Sequence, residues 1–74
     1  MNEQITEDTY GNYKINMDRM GNYEIQNKAT RKSVYLQGDD ARDFEKEIWN
    51  NEQFQALDPR RQAHIISAYD GVME

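Results

Sequence analysis

Two stretches of the chain, ten residues apart, alternate apolar and polar side chains. Residues 11–17, GNYKINM, set Tyr13, Ile15 and Met17 against Asn12, Lys14 and Asn16. Residues 21–27, GNYEIQN, set Tyr23 and Ile25 against Asn22, Glu24 and Gln26. A third stretch, Lys32 to Gln37, sets Val34 and Leu36 against Ser33, Tyr35 and Gln37. A period of two with one wet face predicts antiparallel strands covered on one side. Asp18-Arg19-Met20-Gly21 reads as the first turn, with Gly21 free to take positive φ. Lys28-Ala29-Thr30-Arg31 reads as the second, without the glycine such a turn prefers. The GNY echo occurs once and is too short for a repeat array. It reads as two similar strands of a meander.

The period then changes. Ala41, Phe44, Ile48 and Trp49 fall at i, i+3, i+7 and i+8, an apolar stripe one helix wide. Gly38-Asp39-Asp40 precedes it, and an aspartate there is expected to cap the helix. Asn50-Asn51 marks a stop or bend, and Phe54 and Leu57 suit a short helical turn or a loop. Asp58-Pro59 predicts an N-cap followed by proline at the first helical position. Ile65, Ile66 and Tyr69 are expected to face inward, and Gly71 to cap the end. The fold class is therefore α+β: a three-stranded antiparallel β-meander followed by two helices packed on one face, β-β-β-α-α. Residues 1–9, MNEQITEDT, show no period and read as a flexible acidic tail. Residues 10–74 form a single small domain.

Composition narrows the chemistry. With 74 residues and no cysteine, the chain has no disulfide framework, thiolate zinc site or thiol nucleophile. One histidine rules out a multi-histidine metal site within the chain. No apolar run approaches the length of a membrane helix, and no segment reads as a signal peptide. The expectation is a soluble, cytoplasmic protein without a membrane partner. Asn and Gln together number 13. Such amides suit a hydrogen-bonding surface better than a catalytic one.

The net charge of -5 is unevenly spread. Residues 1–9 carry three acidic groups and no basic one. Residues 10–37 carry five basic against two acidic. Residues 38–74 carry nine acidic against four basic. A basic sheet joined to acidic helices is expected.

No phosphate-binding glycine motif, HExxH or CxxC occurs. Ser67 follows His64 by three residues, but no glycine-rich elbow or oxyanion donor accompanies them. No catalytic residue, metal ligand or cofactor site is assigned. Asp39, Asp43 and Glu47 recur at i, i+4, i+8 along one helix face. Such a stripe points outward and does not converge on a cation. Its functional reading is a docking stripe, joined by Tyr35 and Gln37 at the adjacent strand end. Lys14, Arg31, Lys32 and Tyr35 offer a second surface, a single-stranded nucleic-acid face, though Tyr35 is its one aromatic platform. The sheet edges offer a third, with GNYKINM as a short polar edge able to pair with its own copy or with a target protein.

The segment VYLQGDDARDF, residues 34–44, after strands reading GNYKI and GNYEI, resembles small accessory proteins carried by tailed bacteriophages. The resemblance spans residues 10–50, with IISAYDGV, residues 65–72, matching their closing helix. It implies a virus-encoded accessory protein acting in the infected cell, in the host cytoplasm. It implies no known activity and carries over no functional residue. The expected function is non-enzymatic: binding a host protein and modulating or inhibiting it. The alternatives are a single-stranded nucleic-acid binder and a self-associating structural protein. A homodimer through a sheet edge fits the last, and a nucleic-acid partner is the less favoured class.

Overall fold

A short hairpin opens the structure, earlier than the apolar pattern suggests. The computed structural model describes residues 4–74, with side chains from Asp8 onward. Strand β1 (Gln4–Tyr10) turns through Gly11-Asn12 into β2 (Tyr13–Asp18). Tyr10 lies opposite Tyr13, so the turn has two residues, and Gly11 supplies the positive φ of +60° at its first position. That arrangement matches the right-handed twist of the flanking strands. The expected tail is thus a strand from Gln4 to its end; its first three residues lie outside the described residues. The register shifts between Gln4 and Thr6, a β-bulge on an edge strand.

Strands β3 (Tyr23–Asn27) and β4 (Lys32–Leu36) complete a four-stranded antiparallel sheet in the order β1-β2-β3-β4. The meander therefore has four strands, not three. The GNYKINM strand expected at an edge is internal, and β1 and β4 are the edges. Ile15 pairs Ile25, which pairs Val34; Met17 pairs Tyr23, which pairs Leu36. Each row turns to the covered face, as the alternation predicts. The GNY echo has a structural basis: Gly11 and Gly21 both take positive φ, and Tyr13, Tyr23, Ile15 and Ile25 are all buried.

The two later turns are fixed by side chains. Asp18 Oδ1 accepts from the Met20 amide at 2.9 Å and from the Asn22 amide at 3.0 Å. Asn27 Oδ1 accepts from the Ala29 and Thr30 amides at 2.9 and 3.2 Å. In that second turn Arg31 takes the position glycine would favour, with φ +64°. A residue with a Cβ is disfavoured there by about 1–2 kcal/mol.

Helix α1 (Gly38–Phe44) passes directly into a π-helical turn, Glu45–Trp49. Neither Asp39 nor Asp40 caps α1. Gln37 holds the cap position through its backbone, and both aspartates lie in the first turn, where their charge favours the positive helix end. The π turn carries one extra residue per turn, which lets both Ile48 and Trp49 face the sheet. Short helix α2 (Glu52–Gln55) is capped by Asn51, whose Oδ1 accepts from the Phe54 amide at 2.8 Å. Helix α3 (Pro59–Ile66) is capped by Asp58, accepting from the Arg61 amide at 2.9 Å, with Pro59 in its first turn as expected.

Three differences follow in the C-terminal region. Three α-helical segments replace the expected two. Gly71 does not cap α3, which tightens at Ser67 into a 3-10 segment running to Val72. Ile65 is not inward: it is 41% exposed, and the buried positions of α3 are Gln62 and Ile66.

The core lies between sheet and helices. Tyr23 meets Phe44 and Trp49 at ring-centroid distances of 4.8 and 5.3 Å, and Tyr10 meets Phe54 edge-on at 5.5 Å. Gly11 touches α3 so closely that an added Cβ would lie 3.0 Å from Ala63 Cβ. The carboxylate of Asp70 receives the Tyr13 hydroxyl at 2.7 Å and the Asn27 amide at 3.1 Å, tying the 3-10 segment to two strands. Beyond it, Glu74 exchanges both backbone hydrogen bonds with Ser33, at 3.0 and 3.2 Å, on the outer edge of β4.

Candidate functional site

The outer edge of β4 faces a cleft. Antiparallel pairing turns alternate residues of an edge strand outward. Ser33 faces out, since it bonds Glu74, so the Tyr35 amide and carbonyl face the same way. Beside this edge a cleft of about 440 Å³ is floored by Val34 and Leu36 and walled by Asp40, Asp43 and Glu47. Ala68, Tyr69 and Val72 of the 3-10 segment form its other wall.

The wall is acidic because of helix geometry. Asp40, Asp43 and Glu47 fall at i, i+3 and i+7 and so share one face. Tyr69 senses them. Burial first, then the charges of Glu47, Asp40 and Asp43, push its hydroxyl above the usual tyrosine range. Its ring meets Phe44 at 5.9 Å, which fixes it against the core.

Of the five docking residues expected from the sequence, Tyr35, Asp43 and Glu47 line this cleft. Gln37 and Asp39 do not. Gln37 holds the helix start, its carbonyl accepting from the Ala41 amide at 3.3 Å. Asp39 lies 3.8 Å from Arg42 in an exposed i, i+3 pair. Asp40 takes the place in the stripe that Asp39 was expected to hold. Sequence reasoning missed Ala68, Tyr69 and Val72. Their i, i+1, i+4 spacing was a signal for one shared face, but nothing local said that this face meets the first helix.

The residues of the expected nucleic-acid face do not converge. Lys14 and Tyr35 lie on the open side of the sheet. Lys32, by alternation with Ser33, lies on the other, and Arg31 sits in the turn. Tyr35 is half exposed, but its hydroxyl donates to Asp18 Oδ2 at 2.7 Å and its Cα partner across the ladder is Glu24. That bond, with the amides of the turn, holds the Asp18 carboxyl below the usual carboxylate range.

A second cleft, of about 400 Å³, lies along α3 between Leu57, Arg60, Arg61, His64 and Ile65. A third, of about 240 Å³, lies between Ile48, Ile65, Ala68 and Tyr69. Among the described residues no cluster of three or more acidic, His or Cys side chains is placed to hold a metal ion. No described helix is long and apolar enough to cross a membrane. Comparison of the chain with protein-family models, with curated proteins and with solved structures gives no significant match.

Proposed function

We propose that this chain is a non-enzymatic interaction module that takes an extended, basic segment of a partner protein at the Tyr35 end of the outer edge of β4, beyond the Glu74 pairing at Ser33. The observation that carries this reading is the meeting of a strand edge at Tyr35 with three carboxylates across one cleft. A peptide adding to a sheet edge gains affinity from main-chain hydrogen bonds and selectivity from alternate side chains. Here the positions of the added strand that turn to the covered face would meet Val34 and Leu36 and, across the cleft, Asp40, Asp43 and Glu47, while those between them would turn to the open face beside the Tyr35 ring. Apolar and basic side chains match those surroundings. The resemblance of VYLQGDDARDF to phage accessory proteins implies no activity of its own and supports only the infected cell as the setting. The small size, the missing catalytic motifs and the segregated charge support a host protein as the partner and its modulation or inhibition as the outcome.

The test uses two peptides, one alternating Val and Lys, the other alternating Val and Glu. NMR titration of the full chain follows the Tyr35, Ala68 and Tyr69 amides. The lysine peptide is expected to shift them with an affinity that falls steeply as salt rises, and the glutamate peptide to leave them unmoved. Asp43→Lys with Glu47→Lys abolishes the response. Equal binding of both peptides, or shifts that cluster away from β4, overturns the reading.

A further inference from the structure

The acidic cleft and the arginine-lined cleft are two ends of one groove. The first shares Glu47, Ala68 and Tyr69 with the small central cleft, and the central cleft shares Ile65 with the arginine end. Arg61, Ile65 and Ala68 recur along one face of α3 and the start of its 3-10 extension, and Val72, one 3-10 turn beyond Tyr69, continues the groove wall. From Arg61 to Val72 the groove spans roughly 20 Å at the rises of the two helix types.

Its two ends carry opposite charge. Asp40, Asp43 and Glu47 stand at one, Arg60 and Arg61 at the other, with His64 beside them. The middle is apolar and open. Ile65 in the middle is 41% exposed and Val72 at the acidic end is 59% exposed, although both are large apolar side chains.

We propose that this groove is an isologous interface that seats a second copy of this chain. A two-fold axis through the middle, near Ile65 and Ala68, lays the acidic end of each copy on the basic end of the other. The contact is thus made twice by one surface. A uniformly basic or uniformly acidic partner covering the whole groove would meet like charge at one end. A copy reversed end for end meets none. The dimer also covers Ile65 and Val72, enlarging the apolar burial of a small domain. The inference rests on the preceding reading in sharing Asp43 and Glu47: the second copy is the resting occupant of the acidic end, and a basic partner segment competes with it.

Sedimentation equilibrium of the full chain from micromolar to millimolar concentration tests this. Wild type is expected to show a monomer–dimer equilibrium that salt weakens. Asp43→Lys/Glu47→Lys has a groove positive at both ends, and Arg60→Glu/Arg61→Glu has one negative at both ends. Each alone is expected to dimerise about tenfold more weakly or worse, from like charges brought together. An equimolar mixture restores both charge pairs and recovers a heterodimer. A wild type that stays monomeric at millimolar concentration overturns the proposal. So does a dimer that neither reversal weakens, which places the contact at a sheet edge. Folded variants whose mixture does not associate overturn it too. If a reversal variant does not fold by circular dichroism, Asp43→Asn and Arg61→Gln replace it, with the salt dependence of the wild-type dimer as the deciding measurement. A monomeric wild type that still takes the lysine peptide defeats this inference alone. A dimer that obeys the charge swap but takes no peptide at any dilution defeats only the peptide-binding reading.

Discussion

Asn27, Asn51, Gln55 and Gln62 bond backbone groups that regular structure leaves open. Gln55 Nε2 reaches the Ile48 and Trp49 carbonyls at 3.3 and 3.1 Å, at the end of the π turn, and Gln62 Nε2 reaches the Phe54 carbonyl at 3.1 Å. The amide-rich composition therefore serves the joints of the fold, whereas composition alone pointed to its surface. Tyrosines do related work from the apolar side. Tyr13 is buried, and burial first, then its bond to Asp70, pushes its hydroxyl up to about 12. Raised above the unfolded value near 10, the neutral form is favoured by the native state. Its contribution to stability is complete below about pH 10 and is lost as pH rises through about 12. Urea midpoints are expected to fall between those values in wild type, and Tyr13→Phe to flatten part of the decline. An unchanged slope in the variant would assign it to other groups.

At the scale of elements, alternation and the Asp58-Pro59 cap were legible, while the caps expected at Asp39-Asp40 and Gly71 failed and the pairing of β1 was not read. The covered faces of β2, β3 and β4, the stripe of α1 and the Asp58-Pro59 start of α3 all follow from residues close in sequence. Strand β1 does not, because QITEDTY lacks apolar alternation and is held by backbone bonds to β2. Its one local signal is Gly11-Asn12, a two-residue hairpin turn, which the likeness to Gly21-Asn22 disguised as a strand start. The π turn was also hidden, since Ile48 and Trp49 fit an ordinary helical stripe nearly as well. Strand β1 makes a direct expectation for hydrogen exchange. In a two-residue hairpin the Tyr10–Tyr13 and Asp8–Ile15 pairs bond each other, while Thr9 turns outward. The Asp8 amide is expected to exchange far more slowly than the Thr9 amide by NMR. Equal, fast exchange of both would return this segment to a tail.

The whole molecule explains why the candidate site was half readable. Asp43 and Glu47 were legible as a stripe and Tyr35 as an exposed aromatic at a strand end. The opposing wall comes from residues 68–72, more than twenty positions further along, and only tertiary packing brings it near. The charge arithmetic was likewise right in sum and coarse in place. The acidic C-terminal half conceals Arg60 and Arg61 at one end of a groove whose other end is acidic.

Asp70 carries a consequence for the order of events in folding. Its partners Tyr13 and Asn27 lie 57 and 43 residues away in sequence, so the carboxylate is engaged only after the sheet is built and the helices have docked. Contacts of such separation carry a high loop-closure cost, and these are expected to form on the native side of the barrier. Asp70 then acts as a late latch, setting how long the native state lasts and not how fast it forms. In stopped-flow urea experiments Asp70→Ala is expected to raise the unfolding rate about tenfold, the equivalent of roughly 1.4 kcal/mol, and to leave the refolding arm in place. A refolding arm that slows instead would put the C-terminal segment in the nucleus.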